Sequence, residues 1–337
     1  MPATPTPEYE NLENAIVVDD VTKRYGAQLA VDNLSFAVRK GEIFSMLGPN
    51  GAGKTSTIRM ILDIIKPDSG TIEVLGGRFT EATKEHIGYL PEERGLYKNV
   101  RLLELLTYLG TLKGISREDA KKRAEILLEE VGLGENKKSK VSELSRGMSQ
   151  KVQFVATILH NPELLIIDEP FSGLDPVNTE MIKNMIYSLK AKGHTVVMSI
   201  HEMHQVEEMA DRLLMIDHGQ RVLYGSVDEV RQNYAENAVR VSGEGDWAKL
   251  PGVIAVKADE GGRGYTLMLD ERTTPDDIMQ AVAINPNYHI RSFALALPSL
   301  NDIFIRVAGG DTTHTSGYPN GQPKEGAYES AQNSTHR

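Results

Sequence analysis

Apolar and polar positions follow two alternating patterns along most of the chain. From about residue 15 to residue 234, short apolar runs of strand length are separated by stretches with the spacing of amphipathic helices. Central strands covered on both faces are expected at Ile43–Leu47, which is apolar apart from Ser45, and at the continuously apolar run 164–167. Strands that alternate with crossover helices form a largely parallel sheet, so the pattern predicts an α/β domain over 15–236.

A helical insert is predicted within this domain. Residues 102–113 and 118–131 have helical spacing and little strand signal, and Gly114 and Gly132 stand where these helices are expected to end. We therefore expect a helical subdomain at about 95–160.

Strand-like alternation returns after a short helix that follows Gly225. Strands are expected at 238–241, 253–256, 265–269 and 289–296, and helices at 275–284 and 300–307. This pattern predicts a small C-terminal α+β domain over 237–308. The segment 309–337 is rich in Gly, Ser, Thr, Pro and Asn without apolar periodicity, which favours a disordered tail. Residues 1–14 are interpreted as a flexible leader.

Composition narrows the possible functions. The 337 residues carry 37 basic and 47 acidic side chains and a formal charge of -10, which disfavours binding to a nucleic-acid backbone. The absence of cysteine excludes disulfides, thiolate nucleophiles and cysteine-based metal sites. The apolar runs are strand-sized, shorter than the roughly 20 residues that a membrane span needs. The start of the sequence lacks the pattern of a signal peptide or lipid anchor.

The sequence GPNGAGKT at 48–55 directly follows the apolar strand Ile43–Leu47 and precedes a helical pattern. Strand, glycine-rich loop and helix together are the context in which GxxxxGK plus Ser or Thr binds phosphate; the alternative is a glycine-rich turn with a solvated lysine. Glycines let consecutive backbone N–H groups surround phosphate oxygens, Lys54 supplies a charge to the β and γ phosphates, and Thr55 offers a hydroxyl to Mg²⁺. The predicted nucleotide-binding residues of this loop are Gly48, Pro49, Asn50, Gly51, Ala52, Gly53, Lys54, Thr55 and Ser56.

A pair of acids ends the second buried strand, in the sequence LLIIDEP. Parallel sheets present strand ends to a ligand crevice. Asp168 is expected to hold Mg²⁺ through its water shell, and Glu169 to accept a proton from the water that attacks the γ-phosphate. The alternative is a solvated acid pair without a catalytic role.

The order of these motifs over about 15–235 resembles the ATPase subunits of ABC transporters. LSRGM at 144–148 is similar to the family's signature sequence, although Arg146 and Met148 replace the usual Gly and Gln. The resemblance implies a P-loop NTPase (ABC ATPase) core with a mixed sheet and a helical subdomain, and ATP held between the P-loop of one subunit and the signature of its partner. Ser145 and Gly147 would then bind the partner's ATP from a helix N-terminus. Taken alone, LSRGM is typical of an ordinary N-capped helix start.

Further family positions follow from the same resemblance. Asp175 in SGLDP corresponds to the D-loop, His201 in MSIHE to the switch histidine that senses the γ-phosphate, and Tyr25 in KRYG to an aromatic that stacks on adenine. A surface histidine and a core aromatic are the alternatives for the last two. Glu92 in IGYLPEERGLY stands where the family has Gln; it can still bind Mg²⁺ or orient water but adds negative charge near the phosphates.

The resemblance implies an ATP-binding, ATP-hydrolysing subunit that uses Mg²⁺ and works as a homodimer, or as a heterodimer with a sister subunit. It would power a separate membrane-spanning permease from the cytoplasmic face of the cell membrane. The small C-terminal domain resembles that of exporter-type subunits, so export is expected. A soluble ABC-type ATPase that acts on a macromolecular machine is the alternative, and an unrelated P-loop kinase or GTPase fits the helical insert less well.

Overall fold

The computed structural model describes residues 13–92, 95–259 and 264–308. The leader predicted at 1–14 lies outside these residues up to position 12, and the tail predicted at 309–337 lies outside them entirely. The strands are β1 (Asn14–Tyr25), β2 (Gln28–Arg39), β3 (Ile43–Leu47), β4 (Ser69–Val74), β5 (Ile87–Leu90), β6 (Leu164–Asp168), β7 (Thr195–Ser199), β8 (Arg212–Asp217), β9 (Gln220–Ser226), β10 (Ala238–Glu244), β11 (Val253–Ala258), β12 (Tyr265–Leu269) and β13 (His289–Leu295). The helices are α1 (Lys54–Ile61), α2 (Glu81–Glu85), α3 (Leu102–Leu112), α4 (Arg117–Glu130), α5 (Arg146–Ile158), α6 (Pro176–Ala191), α7 (Met203–Met209), α8 (Val227–Asn233), α9 (Pro275–Ala283) and α10 (Leu300–Ala308).

A six-stranded sheet in the order β5-β6-β7-β3-β8-β9 forms the centre of the molecule. Its first five strands run parallel, and β9 is antiparallel to β8. Both apolar runs identified in the sequence are buried throughout, which confirms that they are central strands. Ile43 and Leu165 belong to the apolar cluster on one face, and Phe44 and Ile166 to the cluster on the other, because successive strand residues point to opposite faces.

An antiparallel sheet, β2-β1-β4, packs beside the parallel one. Tyr25 pairs with Gln28, so β1 and β2 are joined by a two-residue turn. Gly26 in this turn has φ 58°, the conformation that tight hairpin turns require. The hairpin therefore places Tyr25 at the end of a strand. We call this sheet and the central sheet with its helices the ATPase core, after the ABC ATPase core that the resemblance predicts.

The insert consists of α3, α4 and α5, which pack on one another. Leu106 of α3, Leu128 of α4 and Val152 of α5 are fully buried in a shared apolar cluster. Ser116 caps α4 by accepting a hydrogen bond from the Asp119 backbone N–H at 3.1 Å. The helices thus bury one face each, as their periodicity indicates.

A four-stranded antiparallel sheet in the order β11-β12-β10-β13, with α9 packed on it, follows the ATPase core. Its apolar cluster includes Trp247, Val239 and Ile278. We call this part, 238–295, the accessory unit. The last helix, α10, does not belong to that cluster, because Leu300 and Ile303 are buried in the ATPase core instead. Within the described part of the chain, no helix is both long and apolar enough to cross a membrane.

Candidate functional site

The loop between β3 and α1 has a backbone that favours glycine. Gly48, Gly51 and Gly53 have φ angles of 143°, 81° and 110°, in the left-handed region. A Cβ on Gly48 would lie 2.1 Å from the carbonyl oxygen of Ile216, and one on Gly53 would lie 2.5 Å from that of Ala30. The loop is therefore held between β8 and β2, and its shape depends on both.

Lys54, the first residue of α1, is buried beneath this loop. Its Nζ donates hydrogen bonds to the carbonyl oxygens of Gly48 at 2.5 Å and Pro49 at 3.1 Å. Burial lowers the pKa of Lys54, and the carboxylates of Glu169 and Asp168 act in the opposite direction. An ammonium group at a helix N-terminus, inside a loop of this shape, is suited to bind the terminal phosphates of a nucleotide.

A cleft of about 570 Å³ opens above the loop. We call it the phosphate-loop cleft. All nine predicted loop residues line it, from Gly48 to Ser56, and so do the predicted Tyr25, Glu92, Asp168, Glu169 and His201. Its volume lies in the usual range of small-molecule sites, about 300 to 1,000 Å³. The structure thus brings together in one cleft residues from positions 25 to 201.

The acid pair lies at the carboxyl end of β6. Asp168 is 4% exposed and accepts a hydrogen bond from the Ser199 hydroxyl of the neighbouring strand β7. Glu169 has φ 53°, a conformation that costs free energy in a non-glycine residue and is frequent at functional sites. Its backbone N–H donates to the Ser199 carbonyl oxygen at 3.2 Å. Ser199 therefore contacts both acids, a role that sequence reasoning missed.

His201 contacts the second acid directly. Its Nδ1 lies 2.7 Å from Oε2 of Glu169, whose side chain is 16% exposed. Burial raises the pKa of Glu169, and the negative charge of Asp168 also raises it. The His201 imidazole and Lys54 act in the opposite direction. A partly buried carboxylate with a raised pKa and a histidine partner has the properties of a general base.

Tyr25 and Glu92 lie at the rim of the cleft. The ring of Tyr25 is 45% exposed, with its hydroxyl 3.5 Å from Oγ of Ser56, so it is not packed in the core. Glu92 is exposed and adds to the negative charge that faces Lys54. Both positions suit contacts with a bound nucleotide, and their roles stay predictions.

Ser145, Gly147 and Asp175 do not line the cleft of their own chain. Ser145 caps α5 by accepting from the Met148 backbone N–H at 3.2 Å, and Asp175 caps α6 by accepting from that of Asn178 at 2.9 Å. Both are thus helix caps within the single chain. The binding of a partner's ATP by Ser145 and Gly147 also stays a prediction.

The donor atoms in the cleft fit a magnesium ion. Thr55, Asp168 and Glu92 all line the cleft and offer oxygen atoms alone. Mg²⁺ prefers oxygen ligands and is usually held by one or two carboxylates together with substrate phosphates and water. The side chains present therefore suit a metal that arrives with the nucleotide.

Five further residues of the cleft were not predicted to belong to the site: Gln28, Ala30, Ser172, Met203 and Phe304. Gln28 and Ala30 follow Tyr25 in the β1–β2 hairpin, so the hairpin pattern was a usable signal. Met203 comes two positions after His201. Phe304 belongs to the last helix, and no motif marks it.

The phosphate loop, the strand-end acids and the mixed sheet define a P-loop ATPase. Comparison with known proteins specifies the family. Residues 31–172 match the family described as ABC transporter, and residues 225–308 match the C-terminal domain of DrrA1-3-like ATP-binding proteins.

Individual relatives agree with this match. The chain is 38% identical over 299 residues to "Uncharacterized ABC transporter ATP-binding protein YhaQ" of Bacillus subtilis (strain 168), covering 87% of this chain and 98% of that protein. It is 32% identical over 300 residues to "Nod factor export ATP-binding protein I" of Ralstonia nicotianae, covering 87% and 93%. A solved structure described as "Structure of ATP binding subunit of ABC transporter" is 32% identical with a TM-score of 0.62, covering 65% of this chain and 93% of that one.

The chain therefore belongs to the ATP-binding proteins of ABC transporters. It is an ATP-binding and ATP-hydrolysing subunit of such a transporter, as the motif order implied. The relatives do not favour a macromolecular machine as the target of its ATPase activity.

Proposed function

We propose that two subunits, either two copies of this chain or this chain with a sister subunit, close on Mg-ATP and drive a separate membrane-spanning permease. The observation that carries this proposal is the meeting of the phosphate loop, Asp168, Glu169 and His201 in one cleft. Closure and hydrolysis would shift the permease between inward-facing and outward-facing states.

Each cleft residue then has a defined task. Lys54 and the loop N–H groups bind the phosphates, while Glu169 accepts the proton of the attacking water. His201, held against Glu169 at 2.7 Å, orients the carboxylate and senses the γ-phosphate. Mg²⁺, when bound through Thr55, Asp168 and Glu92, would supply charge neutralisation of the phosphates.

The remaining predicted residues act at the edges of the site. Tyr25 would stack on the adenine ring, with the exposed face of its own ring available for this contact. Ser145 and Gly147 would complete the partner's site: a Cβ on Gly147 would meet no atom within 4 Å, so a second subunit can approach the start of α5 closely. Asp175 would contribute to the contact between subunits.

We infer that the subunit works on the inner face of the cell membrane, bound there through its permease. The name of the Nod factor export protein supports export as the direction. The formal charge of -10 argues against nucleic acid as the partner surface.

Glu169→Gln in the full chain tests the catalytic assignment, because it keeps the shape of the side chain and removes the base. We expect the ATPase rate to fall by about 10²- to 10⁴-fold, the usual contribution of a general base. We also expect the variant to elute as an ATP-bound dimer in size-exclusion chromatography with Mg-ATP. Wild-type activity should rise with protein concentration.

Glu163→Gln is the matched control, since Glu163 directly precedes the same strand β6 at the opposite end and its side chain is 61% exposed. It should hydrolyse ATP like the wild type. Full activity of Glu169→Gln, or a rate independent of concentration in a monomer, would contradict the proposal. Purification of the tagged chain from detergent-solubilised membranes should also recover a polytopic membrane protein that stimulates its ATPase activity.

A further inference from the structure

The last helix, α10, leaves the accessory unit and packs on the ATPase core. Leu300 and Ile303 are 0% exposed and lie in the same apolar cluster as Val206 and Met209 of α7. Their spacing places them on one face of the helix. Helix α10 is thus anchored on α7, the helix that follows His201.

Polar contacts hold the start of α10 in place. Ser299 accepts a hydrogen bond from the Asp302 backbone N–H at 3.1 Å, and Asp302 accepts one from the Ser299 backbone N–H at 3.2 Å, which is a capping box. The backbone N–H of Leu300 donates to Glu207 of α7 at 2.5 Å. Arg231 of α8 donates to the Pro298 carbonyl oxygen at 3.0 Å and lies 3.8 Å from Glu207, so three helices meet here.

Phe304 extends the apolar face of α10 to the phosphate-loop cleft. It packs against the same buried cluster as Leu300 and lines the cleft together with Met203 and His201. Met203 is the first residue of α7. The ring therefore lies where the last helix, the start of α7 and the ATP site come together.

The position of α7 depends on tertiary packing against its neighbours. It has only seven residues, and the side chain of its N-cap residue, Glu202, makes no capping hydrogen bond. A helix this short is not stable by itself, so tertiary contacts determine where it lies. Phe304 and Met203 pack against the same apolar cluster and line the same cleft, at the end of α7 that is nearest His201.

The opposite side of α10 borders a cleft that it shares with the accessory unit. Arg306 pairs at 2.9 Å with Glu236, which comes just before that unit in the chain. Asp302 and Arg306, one turn apart, line a second cleft of about 390 Å³ together with Arg240 and Asp259 of the accessory unit. The helix thus buries one face in the ATPase core and borders a cleft of the accessory unit with another.

We propose that Phe304 is a positioning residue for ATP hydrolysis: it holds the start of α7 so that His201 stays against Glu169, and α10 thereby connects the accessory unit to the catalytic site. The inference rests on the proposed roles of Glu169 and His201. It goes beyond them by linking the accessory unit, through α10, to the position of a catalytic side chain.

Phe304→Ala in the full chain tests this inference. We expect kcat to fall about tenfold, because small displacements of a catalytic group are costly, while KM for ATP changes less than about threefold. Phe304→Leu keeps an apolar side chain and should recover kcat to within about threefold of the wild type. Ile305→Ala is the matched control, since Ile305 is the next residue of the same helix and is 59% exposed.

Hydrogen exchange gives a readout that does not depend on turnover. Amides of 201–209 should exchange faster in Phe304→Ala than in the wild type, and Ile305→Ala should not change them. Unchanged kcat and unchanged exchange in Phe304→Ala would overturn the inference. Equal losses in Phe304→Ala and Ile305→Ala would overturn it too, since they would indicate a general effect on α10.

Glu169→Gln, measured in parallel, separates this inference from the proposed function. If Glu169→Gln is inactive and Phe304→Ala is fully active, the role of Phe304 is wrong and the catalytic assignment stands. If Glu169→Gln is fully active, the catalytic assignment itself is wrong.

Discussion

Ser199→Ala removes a hydroxyl that contacts both acids of the site. Ser199 is 0% exposed at the end of β7, and its Oγ donates to Asp168 and accepts from the Glu169 backbone N–H at 3.3 Å. Asp168 is itself only 4% exposed, so water does not readily replace the lost donor. The substitution leaves a buried carboxylate oxygen without this hydrogen bond.

The size of the effect follows from that geometry. A hydrogen bond to a charged group contributes about 1.5 to 3 kcal/mol, and its loss in a buried site is not compensated. In a folding unit of about 220 residues, each kcal/mol lowers the melting temperature by roughly 2 to 4 °C, so a decrease of roughly 3 to 12 °C is expected. Because Asp168 loses its orientation, the Mg²⁺ concentration for half-maximal ATPase activity should rise by about 10-fold or more.

Ser45→Ala provides a matched control from the neighbouring strand. Ser45 is also 0% exposed and lies in β3 opposite Met198, but its hydroxyl has no hydrogen-bond partner among the described residues. Its replacement should leave the melting temperature unchanged or raise it. Calorimetry and a Mg²⁺ titration of activity measure both variants. If Ser199→Ala melts like the wild type and needs no more Mg²⁺, or if Ser45→Ala loses as much stability, the reasoning is refuted.

Two further predictions concern the phosphate loop and the base. Gly53→Ala should abolish binding of a fluorescent ATP analogue, because its Cβ would lie 2.5 Å from the Ala30 carbonyl oxygen at φ 110°. A Cβ at Gly51 meets no atom within 4 Å, so Gly51→Ala carries only a backbone cost of about 1 to 2 kcal/mol. Equal affinities of the two variants for the analogue would contradict this prediction. His201→Gln should move the acid limb of the kcat profile to higher pH. Burial already raises the pKa of Glu169, and the His201 imidazole lowers it, so loss of the imidazole raises the pKa of Glu169 further. The base then becomes protonated at a higher pH. An acid limb that is unchanged, or that moves to lower pH, would show that His201 does not control Glu169.

Local patterns in the sequence determined the central strands and the phosphate loop of this protein. The runs at Ile43–Leu47 and 164–167 predicted buried strands, and the glycines and lysine between β3 and α1 predicted a phosphate loop. These predictions succeed because strands covered on both faces are mostly apolar, and a loop with several positive φ angles favours glycine. Neither condition depends on distant parts of the chain.

Tertiary structure alone decided which distant groups meet at the site. Ser199 contacts Asp168 because β6 and β7 pair in parallel register, with Asp168 opposite Ser199. Nothing in MSIHE distinguishes that serine from an ordinary strand-end residue. Hydrogen-bonded pairs between strands follow from sheet order and register, which short sequence motifs do not specify.

Helix α10 also shows that sequence patterns do not specify tertiary contacts. Its apolar spacing predicted a helix at 300–307 and the structure has one at Leu300–Ala308, but the spacing did not show which surface covers its apolar face. In the structure, Leu300 and Ile303 are buried in the ATPase core, and Phe304 reaches the cleft. Periodicity identifies the face of a helix that must be buried, because burial of apolar area is favourable against any apolar surface. Which surface covers that face depends on how the described parts of the chain pack together, so only the tertiary structure shows that α10 reaches the ATP site.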